Sequence, residues 1–153
     1  MHFRLCFEQA GFTGVRTLLL SGNVVFDARA SKESALEHKA EAAMQAALGR
    51  SFQTFIRSTD LLQMMLAADP YAAFVLPPGV KRVVTFLREP HGVRITTPIG
   101  LGDARLFRAD EREVFSACVP GPRGSALLAL LERTFSAAIT TRTCDTVRKC
   151  AAA

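Results

Sequence analysis

The chain has 153 residues, enough for one domain or two small units sharing a core. With 49% apolar and 22% charged residues its composition is ordinary and globular, which excludes wholesale disorder, a collagen and a coiled coil; no run approaches the ~18 apolar residues that cross a membrane. The net charge of +5 is unevenly placed: residues 1–77 hold seven Lys/Arg and seven Asp/Glu, residues 78–153 twelve and seven, so the whole excess lies in the second half.

Fifteen of the nineteen cations are Arg, a bias that favours planar, bidentate contacts to phosphate or carboxylate and is also what a GC-rich genome supplies. Cys6, Cys118, Cys144 and Cys150 lack the two-residue spacing of a zinc knuckle or redox motif. Glu8 interrupts any signal-like apolar start. Reduced, mostly buried thiols in a cytoplasmic protein are therefore expected. His2, His38 and His91 make no metal set.

Residues 2–10 read as a short helix with Phe3, Phe7 and Ala10 on one face and Gly11 as C-cap. Thr17-Leu18-Leu19-Leu20 and Val24-Val25-Phe26 predict a β-hairpin around Ser21-Gly22-Asn23, covered on both faces. Residues 32–48 predict a helix capped by Ser31 and closed by Gly49. Its stripe is Leu36, Ala40, Ala43, Met44, Ala47 and Leu48, with Glu37, His38, Glu41 and Gln45 off it.

Phe52–Arg57 alternates as a strand. Ser58 then caps a helix through about Ala68 that faces Leu61, Met65 and Ala68 inward. Pro70, Pro77, Pro78 and Gly79 mark a connector over 70–80. Strands follow at Lys81–Leu87 and Val93–Thr97, with a second hairpin from Ala104–Arg108 and Arg112–Val119. Pro120 to Ser125 opens a helix burying Leu127, Leu128, Leu131 and Phe135. Ile139–Arg142 is a strand, and residues 145–152 form a last helix capped by Asp145.

This order predicts an α+β protein of two ferredoxin-like, split βαβ halves, the first lacking its opening strand. The expected division is 1–69, a Pro-rich connector over 70–80, and 81–153.

Three segments carry a family resemblance. Gly11-Phe12, Val15-Arg16-Thr17 and Ser21-Gly22-Asn23-Val24-Val25-Phe26 resemble the opening of the bacterial family known as domain of unknown function 1697. Val84-Thr85-Phe86-Leu87 with Glu89-Pro90 is similar to its central strand, and Thr140-Thr141-Arg142 with Asp145-Thr146-Val147-Arg148-Lys149 to its C-terminal signature. The resemblance implies a two-part α+β fold and supplies no activity. Two departures stand out. The family's opening strand, with a leucine-arginine-glycine-isoleucine-asparagine motif, has no counterpart here, and Thr143-Cys144-Asp145 replaces an asparagine-tryptophan-asparagine triplet. The expectation is that translation starts upstream of Met1, which an in-frame upstream strand would support and an immediately preceding stop codon would sink. The alternative is a truncated member that dimerises through the gap.

Three places have the residue types for binding. Ser21 and Asn23 at the hairpin tip suit either a polar rim for a ligand or plain turn chemistry. Gly121, Arg123, Gly124 and Ser125 open a helix whose N–H groups suit an anion, although the lysine and glycine spacing of a P-loop are missing. Thr140, Thr141, Arg142, Thr143, Thr146, Arg148 and Lys149 form the densest polar cluster, in which Thr146 and Lys149 share a helix face.

Catalysis has less to hold. Ser21-Gly22-Asn23 lacks the flanks of a nucleophile elbow, and Asp110, Glu111 and Glu113 sit in a hairpin turn. Cys144, beside Arg142 and ahead of a helix, is the thiol placed for a lowered pKa.

The expected function is binding of a small anionic ligand through Arg123, Ser125, Thr141, Arg142, Thr146 and Lys149. Sequence-independent nucleic-acid binding by the basic half is the alternative, although Arg105, Phe107, Arg112 and Phe115 do not match the aromatic signature of RNA-recognition modules. An enzyme acting on a phosphorylated metabolite comes third. No cofactor, metal or membrane partner is expected, and nothing specifies an oligomeric state.

Overall fold

The computed structural model describes residues 3–18, 22–92, 95–119, 126–135 and 138–153. It is an α+β protein with antiparallel sheets, divided into two units. One comprises residues 1–62 and 149–153, the other 63–148. No helix among the described residues is long and apolar enough to cross a membrane.

In the first unit, helix α1 (Phe3–Gln9) ends where Gly11 turns left-handed, and is followed by strands β1 (Thr13–Leu18) and β2 (Asn23–Asp27). The strands pair antiparallel, Leu18 opposite Asn23, with the register shifting between Thr13 and Arg16. Gly14 sits in that irregularity at φ +57°, where a Cβ would lie 2.5 Å from Asp27 Oδ2. Only glycine fits without a shift. Cys6, Phe7, Phe12 and Val15 pack with Ala40 and Met44 of helix α2 (Glu33–Leu48). Phe12 stacks on Phe26 at 4.3 Å between centroids, and Phe7 leans on both rings.

Helix α2 corrects three expectations. Lys32, not Ser31, holds the N-cap position, and no side chain caps it, whereas Gly49 closes the helix as expected, its N–H bonding Gln45 O. Glu37 lies in the buried face, at 2% exposure. Phe52–Arg57 forms no described ladder. Instead its amides bond to α2: Ile56 N–H donates to Glu37 Oε2 at 3.1 Å and Thr54 N–H to Glu41 Oε2 at 2.8 Å. A buried carboxylate requires such donors, so the acid is inside because the extended segment supplies them.

Helix α3 (Thr59–Ala67) is capped by Ser58, whose Oγ accepts from Leu61 N–H. Leu62 is its buried residue, while Leu61 and Ala68 are exposed. The inward face is rotated one position from the expected one, because TDLLQMMLA is apolar almost all round.

The second unit is built on a five-stranded sheet. Its strands are β3 (Lys81–Leu87), β4 (Ile99–Leu101), β5 (Ala104–Ala109), β6 (Glu113–Cys118) and β7 (Ile139–Thr143), in the order β4-β5-β6-β3-β7. The strand expected over 93–97 is not found among its described residues, and β4 begins at Ile99. Helix α4 (Leu127–Phe135) covers one face. Leu127, Leu130, Leu131 and Phe135 pack there on Val83, Leu87, Leu106 and Val114. Leu130 takes the place expected of Leu128, which is 55% exposed. The stripe follows the i, i+3, i+4 spacing from Leu127. Helix α5 (Cys144–Ala152) begins one residue earlier than expected and is capped by Thr143, whose Oγ1 accepts from Thr146 N–H, rather than by Asp145.

Candidate functional site

Strand alternation sends Val83, Thr85 and Leu87 towards α4, and Arg82, Val84 and Phe86 to the other face of the sheet. On that face the segment after α3 lays Tyr71 over Phe115 and Phe107, edge-on at 6.3 and 6.1 Å. Two tight turns hold it: Ala72 N–H bonds Asp69 O, and Phe74 N–H bonds Tyr71 O. Tyr71 is 4% exposed. Its hydroxyl lies 2.8 Å from Ser116 O and 3.0 Å from Val83 O, carbonyls that face each other across the β3–β6 pair, and it shares one proton between them. Cys144 Sγ donates to the same hydroxyl at 3.8 Å.

These groups border a cavity of about 330 Å³ within the second unit. Leu66, Ala67, Pro70, Val84 and Phe115 are its apolar lining, and Asp69, Tyr71, Arg82, Cys144 and Arg148 its polar lining. The Arg82 guanidinium sits 5.3 Å from the centroid of the Tyr71 ring. Arg148 bonds Asp145 at 2.9 Å on the exposed side of α5.

Burial pushes the Tyr71 phenol well above its ordinary range, and the neighbouring Cys144 adds to this, against a smaller opposing pull from Arg82. The Cys144 thiol is also raised, by burial first, with Tyr71, Arg148 and Arg82 offsetting only part. The lowered pKa expected beside Arg142 and a helix start is therefore reversed, because desolvation outweighs the opposing pull of Tyr71, Arg148 and Arg82. At neutral pH the two groups are neutral hydrogen-bonding groups rather than nucleophiles.

Of the residues singled out from the sequence for ligand binding, Thr141, Arg142, Thr146 and Lys149 are described, and none is among those that line the cavity. Arg123 and Ser125 lie outside the described residues, as does Ser21. Asn23 is buried and donates from Nδ2 to Leu18 O at 3.2 Å, across its own hairpin. Thr141 stands opposite Thr85 and Arg142 opposite Val84, so their side chains leave β7 on opposite faces. Arg142 donates to Thr140 Oγ1 and to Thr141 O. Thr146 Oγ1 lies 3.1 Å from Thr143 Oγ1, and Lys149 is exposed in the last turn of α5.

The cavity instead gathers Asp69, Tyr71 and Arg82, none of which motif reasoning selects. One signal was available: Tyr71 is the chain's one tyrosine, set beside a proline in a connector. Among the described residues no group of three or more His, Cys, Asp and Glu is placed to hold a metal ion.

No curated protein and no solved structure matches the chain. A family model described as "Protein of unknown function (DUF1697)" matches residues 2–115, which takes in α1 to β6 as far as Phe115 and leaves the stretch from Thr140 to Lys149 outside the match. With most of its length matched, the chain belongs to the DUF1697 family.

Proposed function

We propose that the protein binds a small anionic ligand in the second unit's cavity, with Arg82 as the main cation and Arg148 as the second. The observation that carries this is Arg82. Its guanidinium forms no ion pair among the described residues, lies over the Tyr71 ring, and borders a cavity whose lining is shared between apolar and polar side chains. A guanidinium with unused donors offers a planar fork that matches the paired oxygens of a carboxylate or phosphate. The cavity volume lies at the lower end of the ~300–1,000 Å³ typical of small-molecule sites.

Inorganic phosphate and acetate titrated into isotope-labelled protein are expected to shift the resonances of Arg82, Arg148 and Val84. Arg82→Ala is expected to weaken binding about tenfold, the scale of one charge-assisted hydrogen bond. Arg148→Ala weakens it less, since Asp145 already engages that side chain. Shifts confined to other residues, or an Arg82→Ala protein that binds as before, would refute the site. Oligonucleotide binding that falls steeply between about 50 and 200 mM salt would assign the basic half to a polyanion instead.

The same reading treats the chain as a cytoplasmic bacterial protein, for which its four free thiols argue. It also treats each unit as a variant of the split βαβ arrangement. The order α1-β1-β2-α2 in the first unit and the placing of α4 between β6 and β7 in the second support this.

A further inference from the structure

We infer, building on the anion-binding reading above, that the ligand is a small zwitterion with an apolar portion, of the α-amino-acid type: its carboxylate at Arg82 and its ammonium at Asp69. The cavity is bipolar. Asp69 borders it and makes no ion pair among the described residues, just as Arg82 makes none, so each charge keeps its bonding capacity for a third party.

The helices bordering the cavity have the same polarity. Leu66 and Ala67 are among the last residues of α3 and bring that helix's negative end to the wall. The last turn of α3 holds no basic residue, so neither its terminal carbonyls nor the Asp69 carboxylate is offset by a helix cation. Cys144, the first residue of α5, brings a positive helix end to the same cavity, with Arg148 one turn on.

Asp69 also stands where glycine would be the easy choice. Its φ is +41°, and its N–H bonds Leu66 O in the turn that ends α3. Aspartate accepts this left-handed region at moderate cost, as does asparagine. The carboxylate is therefore a feature beyond what the turn demands, and Asp69→Asn removes its charge without disturbing the backbone. Leu66, Val84 and Phe115 line the same cavity and offer apolar surface for an aliphatic side chain.

The test compares L-leucine, N-acetyl-L-leucine and L-leucinamide by heteronuclear NMR titration of the full chain, with acetate and phosphate as reference anions. Leucine is expected to bind at least about tenfold more tightly than either blocked analogue. In Asp69→Asn, leucine should fall towards the level of N-acetyl-leucine, whose own affinity does not fall. N-acetyl-leucine binding as well as leucine would overturn the zwitterion while leaving the anion site standing. Leucinamide binding as well as leucine, or no carboxylate or phosphate binding at all, would overturn both.

Discussion

Raising the pH is the perturbation that Tyr71 answers most directly, because the chain has one tyrosine and no tryptophan. Tyrosinate absorbance therefore reports this phenol alone. In the unfolded chain the group titrates near its reference value of 10.0, whereas in the folded protein burial and Cys144 hold it neutral well beyond that. Above pH 10 the folded state keeps a proton that the unfolded state has lost. The Tyr71 contribution to stability is thus complete below pH 10 and falls as pH rises, by about 1.4 kcal/mol per pH unit. The Cys144 thiol, raised from 9.0, acts with the same sign from about one unit lower. Where both act, the slope reaches about 2.7 kcal/mol per unit. Urea unfolding from pH 8 upward, followed by circular dichroism, should show this steepening, and Tyr71→Phe should lose roughly half of the slope above pH 10. The phenol should ionise together with unfolding. Half-ionisation near pH 10 with the circular dichroism intact would refute the buried, carbonyl-bound hydroxyl.

Three other outcomes follow from the packing. Glu37→Ala should cost about 2 kcal/mol in urea unfolding, the scale of a buried donor left unpaired, and Glu37→Gln less, since the amide oxygen still accepts from Ile56 N–H. Leu130→Ala should cost about 2–5 kcal/mol whereas Leu128→Ala stays within about 0.5; equal losses would mean that α4 is rotated. Thr143→Ala should destabilise by about 1 kcal/mol as a lost N-cap, and Asp145→Ala by less, because its bond to Arg148 is solvent-exposed.

The elements were legible wherever one local signal dominated. Gly49 ends α2 in the left-handed conformation its sequence position called for, and β3 spans the expected Lys81–Leu87. Local signals failed where tertiary partners decide. In α3 three leucines, two methionines and an alanine leave too narrow a polar face to set its rotation. The alternation in Phe52–Arg57 reads as a strand, yet its amide partners are the Glu37 and Glu41 carboxylates, 19 and 13 residues earlier. A pairing between backbone and side chain at that distance leaves no periodicity to read.

The site was less legible for a geometrical reason. The sequence concentrates hydroxyls and cations between Thr140 and Lys149, and density in sequence suggests density in space. A strand followed by a helix breaks that link. Alternation parts Thr141 from Arg142, and the turn into α5 leaves Arg148, rather than its neighbours Thr146 and Lys149, bordering the cavity. Its partners there come from positions 69, 71 and 82, where a helix end, a connector and a strand converge on one sheet face. The cation that the sheet presents to the cavity comes from the second half of the chain, where the net positive charge lies. Which cation it is depends on strand parity: Arg82, two residues before Val84, shares its face, and an arginine one position along would lie on the face that α4 covers.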